Sequence, residues 1–412
     1  MIREHFVPGT SPTPSGTYSR LDYIMGFGSQ YIDLGPESSS PNGYYAKLTV
    51  QYVNSTDAGR VIGAHNLSNP YGRNGLALTS SGIELSYGDV YHSTTITKTL
   101  GVEQILEVQT YRGNAFVKVN GTQVLSNTND YGQLSSLNIL VLQDQWRIQN
   151  GYGCLPLFIK RIEFTNGSYS MDLYPTIRLD DNVPGLYDAI HDKFYTNAGS
   201  GDFLYHGSIN YSIPSGYQRI DYIEGTGAQW IDTGFCATGG DIVDFEWSPT
   251  IFNDYNTVGS HNPSSNSSNG YNRNQVSFIR QESSQFSKCN SYDYAAHNNT
   301  LGVKYHIIYN SIGANRIGLC DDVTIKSQTN TSTLAPVNNI AVLHNWYNNT
   351  NNKGKLHSAR IYNNQMVLVR NYIPLIRTPD SKPGLYDLCG STCPLTNSPF
   401  YTNSGTGEFL YA

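Results

Sequence analysis

The sequence predicts an all-β protein built as two tandem antiparallel β-sandwiches. Three observations predict it. The phrase RLDYIMGFGSQYIDLG at Arg20–Gly35 returns as RIDYIEGTGAQWIDTG at Arg219–Gly234, 199 positions later. A second phrase, PGLYDAIHDKFYTNAGSGDFLY from Pro184, returns from Pro383 as PGLYDLCGSTCPLTNSPFYTNSGTGEFLY, again offset by 199. Between these phrases lie short alternating runs parted by Gly, Asn and Ser, and no stretch of 12 residues keeps a clean helical period. A repeat this long is a domain, since solenoid units run about 20–50 residues. Two copies on one chain favour binding through two sites over one composite active site.

Composition agrees. Charged residues are 14% of the 412, against about 25% in ordinary globular chains. Tyr (32) and Gly (39) are abundant and Met (4) is rare, a balance of strand and turn formers. Formal net charge is −6 and no basic stripe exists, which argues against nucleic acid as a partner. No run of 18 apolar residues is present, so membrane insertion as a helix is not expected. The opening MIREHFVPGTSPTPSG lacks the apolar stretch of a secretory leader. Export is therefore expected either by lysis, as part of a phage particle, or after removal of a leader.

Residues 1–17 carry Pro8, Pro12 and Pro14 among Gly, Ser and Thr, and read as an extended arm. Phe6, Val7 and Pro8 are its candidate docking residues. The first domain is expected over 18–207, a linker over 208–216, and the second domain over 217–412. In the first, Tyr44–Tyr52, Ile83–Tyr87 and Ala115–Val119 alternate as half-buried strands. Asn120-Gly121, between AFVKV and TQVL, predicts a two-residue type I′ hairpin turn. The continuous apolar run Leu137–Leu142 reads as a strand at the centre of a packed sheet, followed by strands over Ile159–Phe164 and Met171–Tyr174. The second domain repeats the plan at Val243–Trp247, Val276–Ile279, Val303–Asn310, Arg316–Leu319, Asn339–Leu343, Ala359–Tyr362 and Met366–Tyr372.

The two phrases resemble a module of the concanavalin A-like lectin/glucanase superfamily, close to laminin-G-like jelly rolls, and the resemblance covers nearly all of both halves. Such modules recur in phage tail and virion proteins and in surface proteins of gut bacteria. The resemblance implies two antiparallel sheets of about six or seven strands per domain, one of them concave. It implies that the opening phrase forms the first strand, with the phrase ending Gly201-Asp202-Phe203, or Gly407-Glu408-Phe409, beside it. It does not fix activity, because the superfamily holds lectins, hydrolases and structural modules.

Glycosidases of this kind carry a Glu-x-Asp-x-x-Glu run, which is missing here. The acidic pairs common to both copies, Asp22 with Asp33 and Asp221 with Asp232, read as anchors of strand ends. No nucleophile elbow, zincin motif or phosphate-binding loop occurs. No enzyme activity and no cofactor are expected. Asp180-Asp181 and Asp321-Asp322 are candidate calcium ligands but lack EF-hand spacing, and acidic turns explain them as well. Of the six cysteines, Cys389 and Cys393 flank an insertion and are either a local pair or free thiols.

A polar cluster recurs. His65, Asn66 and Arg73 in the first copy match His261, Asn262 and Arg273 in the second. Such side chains can hydrogen-bond vicinal sugar hydroxyls; they can equally satisfy loop backbone. Trp146 and Trp346, 200 positions apart, follow the apolar runs. Each is either a stacking platform for a sugar ring or a lid on the core. The expected function is adhesion without catalysis: a phage fibre, tail or capsid-decoration subunit that binds host glycans or neighbouring virion subunits and assembles as a homo-oligomer. The alternative is a secreted adhesin at a bacterial surface.

Overall fold

The computed structural model describes residues 17–39, 41–66, 72–130, 134–236, 240–252, 256–261, 273–280, 283–288, 291–313, 315–329, 338–345, 350–393 and 396–412. The chain divides into two compact units, Met1–Ser212 and Ile213–Ala412. The candidate docking residues Phe6, Val7 and Pro8 lie outside the described residues.

In the first unit two sheets face each other. The larger has 11 strands, with Tyr45–Tyr52 and Leu157–Thr165 at its middle. The smaller has six, in the spatial order Ile32–Asp33, Leu140–Val141, Gly59–His65, Arg73–Thr79, Gly82–Gly88, Val90–Thr95. Paired strands are antiparallel throughout both. Period-2 patterning builds the core between them. Leu48, Val50, Leu106, Val108 and Ile162 come from the larger sheet, and Ile62, Leu76, Leu78, Ile83 and Leu85 from the smaller. The second unit repeats this plan with an 11-stranded and a six-stranded sheet around its own core.

The recurring phrases earn their recurrence through backbone hydrogen bonds. Asp188 Oδ1 accepts from the N–H of Asp172 (3.1 Å) and Ile190 (3.0 Å). Asp387 Oδ1 does the same for Asn371 (2.9 Å) and Cys389 (3.0 Å). Asn197 Oδ1 accepts from Tyr31 N–H and Asn403 Oδ1 from Trp230 N–H, each at 3.0 Å, tying the closing phrase to the opening one. Asp33 and Asp232 cap their own turns by accepting from Gly35 and Gly234 N–H at 2.8 Å, and each also accepts from an asparagine, Asn138 or Asn339. Asp22 holds His206 Nδ1 at 2.9 Å. These carboxylates are strand-end anchors. Asp181 pairs with Arg178 three residues before it, and Asp321 and Asp322 sit in a left-handed turn contacting His306. Among the described residues no cluster of three or more His, Cys, Asp or Glu has the geometry of a metal site.

Four readings change. The opening phrase makes three short strands, not one: Tyr18–Arg20 and Tyr23–Met25 join the larger sheet, while Ile32–Asp33 crosses to the smaller. These added strands raise the larger sheet beyond six or seven. The apolar run Leu137–Leu142 contributes only Leu140–Val141 as strand, one position in from the sheet edge. Leu142 turns left-handed (φ 69°) and gives its N–H to Val61 O, ending the strand; Leu343 (φ 67°) does the same with Thr257 O. The segment around His65 and Arg73 is paired strand rather than loop. Asn120-Gly121 forms the expected turn with both residues left-handed, φ 51° and 79°. Cys389 and Cys393 are separate thiols, one exposed and one buried.

Candidate functional site

The site grows from the face of the first unit's smaller sheet that points away from the core. With Ile62, Leu76 and Leu78 turned inward, their neighbours turn outward in register. Across the sheet these form three rows: Arg60, Ala77 and Glu84; Gly63, Gly75, Ser86 and Tyr91; His65 and Arg73. The glycines are required. A Cβ on Gly75 would lie 2.6 Å from Ile62 O and 3.2 Å from Arg60 Nη1. Over this floor Arg60 extends to Ser86 Oγ (2.8 Å) and to Asp144 Oδ2 (2.8 Å). Both charges are buried, at 5% and 1% exposure.

Asp144 has a second role. Its Oδ1 accepts from Arg147 N–H at 2.8 Å and caps the one-turn helix Gln145–Gln149. Gln145 fastens that helix to the sheet, its Oε1 accepting from His65 N–H (3.0 Å) and its Nε2 donating to Asn138 O (2.7 Å). Trp146 thereby lies half-buried outside the core. It stacks with His65 (5.7 Å between centroids, 26°) and with Tyr152 (5.5 Å, 21°).

His65 is neutral at ordinary pH. Arg73 Nε donates to its Nε2 at 2.9 Å, which requires that nitrogen to be unprotonated. Burial pushes its pKa down to about 4, aided by the nearby Arg73 and Arg60 against the opposing pull of Asp144. Arg73 lies 4.3 Å over the ring of Tyr91 and donates to Asp89 O.

A cleft of about 360 Å³ opens here, walled by Arg60, Glu84, Tyr91, Asp144, Trp146 and Arg147 among others. Glu84 accepts from Ser86 Oγ at 3.3 Å. Arg147 sets its guanidinium 4.9 Å from the Tyr152 ring, and its buried Nε has no hydrogen-bond partner among the described residues.

Of the residues singled out in the first copy, the structure brings His65, Arg73 and Trp146 together. Asn66 is engaged elsewhere: its N–H donates to Gly72 O and its Oδ1 accepts from Ser135 Oγ (2.8 Å). In the second copy the backbones of His261 and Arg273 pair as His65 and Arg73 do. Their side chains, and all of Asn262 and Trp346, lie outside the described residues. Sequence reading missed Arg60, Glu84, Tyr91, Asp144 and Arg147. Asp144 carried a usable signal, a capping residue directly before the Trp-bearing turn.

No protein-family model and no curated protein sequence matches the chain. Several solved structures do. Mouse laminin alpha1 chain domains LG4-5 align over 87% of this chain and 93% of that one, at 11% identity and a TM-score of 0.36. The LG1-3 region of the laminin alpha2 chain covers 85% of this chain and 63% of its own, at 10% identity and 0.32. A putative carbohydrate binding protein from Bacteroides ovatus covers 48% and 63%, at 12% identity and 0.32. The fold class rests on the strand pairing above and not on these likenesses.

Proposed function

We propose that the chain is a carbohydrate-binding adhesion protein whose first unit takes a sugar in the cleft beside Trp146, without turning it over. One observation carries the proposal: the outward face combines exposed aromatic rings with fixed polar groups around a concave space. Tyr91 and Tyr152 are each 49% exposed, beside the half-buried Trp146. Rings of this kind cover the C–H face of a sugar while carboxylate and guanidinium groups bond its hydroxyls. Asp144 supports binding over hydrolysis, because both its oxygens are occupied by Arg60 and by the helix N-terminus. A glycosidase acid must instead be free to give up a proton.

The finer proposal is a phage virion subunit that attaches the particle to host surface glycans through these modules and to neighbouring subunits through residues 1–17, as a homo-oligomer. It is supported by the resemblance of the repeated phrases and by the proline spacing of the arm. Deleting residues 1–17 should leave both units folded and abolish incorporation into the particle; unchanged assembly would sink the arm's role. The sugar proposal is tested by a glycan array followed by Trp146→Ala. Binding should fall several-fold, since a stacked ring contributes about 0.5–1.5 kcal/mol, with little change in melting temperature. A collapsed melt with binding lost in proportion would mark the ring as structural.

A further inference from the structure

We propose that the cleft of the first unit selects an uncharged saccharide, gripped between Glu84 as hydroxyl acceptor and Arg147 as hydroxyl donor, and that the second unit has no equivalent, so that the chain binds one such ligand. The proposal rests on the sugar-binding reading of this same cleft.

The charge balance of the walls comes first. Two guanidiniums, Arg60 and Arg147, face two carboxylates, Asp144 and Glu84. Arg60 and Asp144 neutralise each other at 2.8 Å. His65, also in the wall, is neutral above a pH of about 4. Arg73 is not part of the wall; its guanidinium lies against the Tyr91 ring. The lining side chains therefore carry no net charge, and the neighbouring Arg73 is engaged by the Tyr91 ring and Asp89 O, so an acidic or basic ligand would lose its water with no dedicated counter-charge.

The remaining pair is complementary to hydroxyl groups. A carboxylate only accepts and a guanidinium only donates, whereas each sugar hydroxyl does both. Glu84 has Ser86 Oγ on one oxygen, at 3.3 Å, which leaves further lone pairs for ligand. Arg147 lines the cleft with its guanidinium 4.9 Å from the Tyr152 ring, and since its Nε is buried, the donors it offers a ligand are its terminal N–H groups. A preordered donor of this kind loses little entropy when a ligand arrives.

Strand register then separates the copies. Asn256 pairs with Ser277 next to a bulge, as Arg60 pairs with Ala77. Ser277 pairs with Gln285, as Ala77 pairs with Glu84. Gly259 faces Gln275 where Gly63 faces Gly75. The second copy thus has Asn in place of Arg60, Gln in place of Glu84, and Gln in place of the floor glycine. After the matching left-handed Leu343 come His344 and Asn345, where Leu142 is followed by Gln143 and Asp144. Tyr292 does recur at the register position of Tyr91, so a tyrosine stands at this strand position in both copies while the charged residues do not.

Titration calorimetry of the full chain tests this with neutral disaccharides (lactose, maltose, cellobiose) and acidic ones (digalacturonate, sialyllactose). At least one neutral sugar should bind with a stoichiometry of one per chain. Glu84→Gln and Arg147→Gln should each weaken it roughly tenfold or more, the usual effect of losing a hydrogen bond to a charged group. Gln285→Ala in the second unit should change nothing. A stoichiometry of two would overturn the difference between copies. Binding of acidic sugars alone would overturn the neutral class while leaving sugar binding intact. Binding of no sugar by a folded wild type, confirmed by a glycan array, would overturn the underlying reading. Melting curves accompany each variant; should one fail to fold, the stoichiometry and the wild-type ligand panel still decide.

Discussion

Asp144→Asn is the sharpest perturbation of this architecture. Asn is as good a helix cap as Asp, so Arg147 N–H keeps an acceptor and the Gln145–Gln149 turn stays closed. What disappears is the counter-charge of Arg60, a guanidinium 5% exposed that lies over a floor of two glycines. Its remaining described side-chain partner is the Ser86 hydroxyl at 2.8 Å. Removing one member of a buried ion pair costs about 3–5 kcal/mol, because the other is left desolvated and uncompensated. Domains of roughly 200 residues shift by about 2–4 °C per kcal/mol, so the first unit should melt about 6–20 °C lower. Differential scanning calorimetry of the full chain reads this directly. The second unit carries Asn256 at the Arg60 position and should keep its own transition. Replacing both charges while keeping the cap, as Arg60→Met with Asp144→Asn, should recover most of the loss, since no uncompensated charge is then left buried. A loss under about 1 kcal/mol for Asp144→Asn, or no recovery in the double variant, would refute the buried-pair argument.

Three further outcomes follow. The folded pKa of His65, about 4, lies below its unfolded value of about 6.5. The unfolded chain therefore binds more protons in that window, and this part of the stability, complete above about pH 6.5, is lost as pH falls toward 4. Asp57 works oppositely, its pKa raised by burial to about 6, so the readout is the difference between wild type and His65→Gln: the wild-type denaturation midpoint should fall relative to the variant's as pH drops from about 6.5 toward 4. Gly121→Ala should cost about 1–2 kcal/mol by urea unfolding from left-handed strain alone, because its added Cβ would meet nothing within 4 Å; an unchanged midpoint would mean the turn relaxes. Residues 18–207 and 217–412, expressed separately, should each fold, as seen by near-UV circular dichroism; an unfolded half would show that the units depend on one another.

The fold class was legible because period-2 burial and turn chemistry are local. LTVQY, AFVKV and the Asn120-Gly121 turn need nothing distant to declare themselves. The duplicated phrases announced two units, and Asp33, Asp188 and Asn197 show why they recur: each binds backbone N–H groups at strand ends. The Leu137–Leu142 run misled because hydrophobicity reports burial and not pairing, and Leu142 is buried in a left-handed conformation. The site was only partly legible. His65, Arg73 and Trp146 stood out as polar or aromatic residues in a common pattern. Arg60, Glu84 and Asp144 did not, since strand pairing across 84 positions joins Arg60 to Asp144. Nor did glycines such as Gly75 read as a floor, because their meaning lies in what passes over them.

The central claim is that the first unit holds a sugar against Tyr91, Glu84, Trp146 and Arg147. A crystal structure of the full chain soaked with the tightest-binding neutral sugar tests it most directly. The account predicts ordered sugar in this cleft, with hydroxyls on the Glu84 carboxylate and the Arg147 guanidinium and a C–H face on an aromatic ring. Sugar bound elsewhere on the chain, with this cleft empty at saturating concentration, would contradict it.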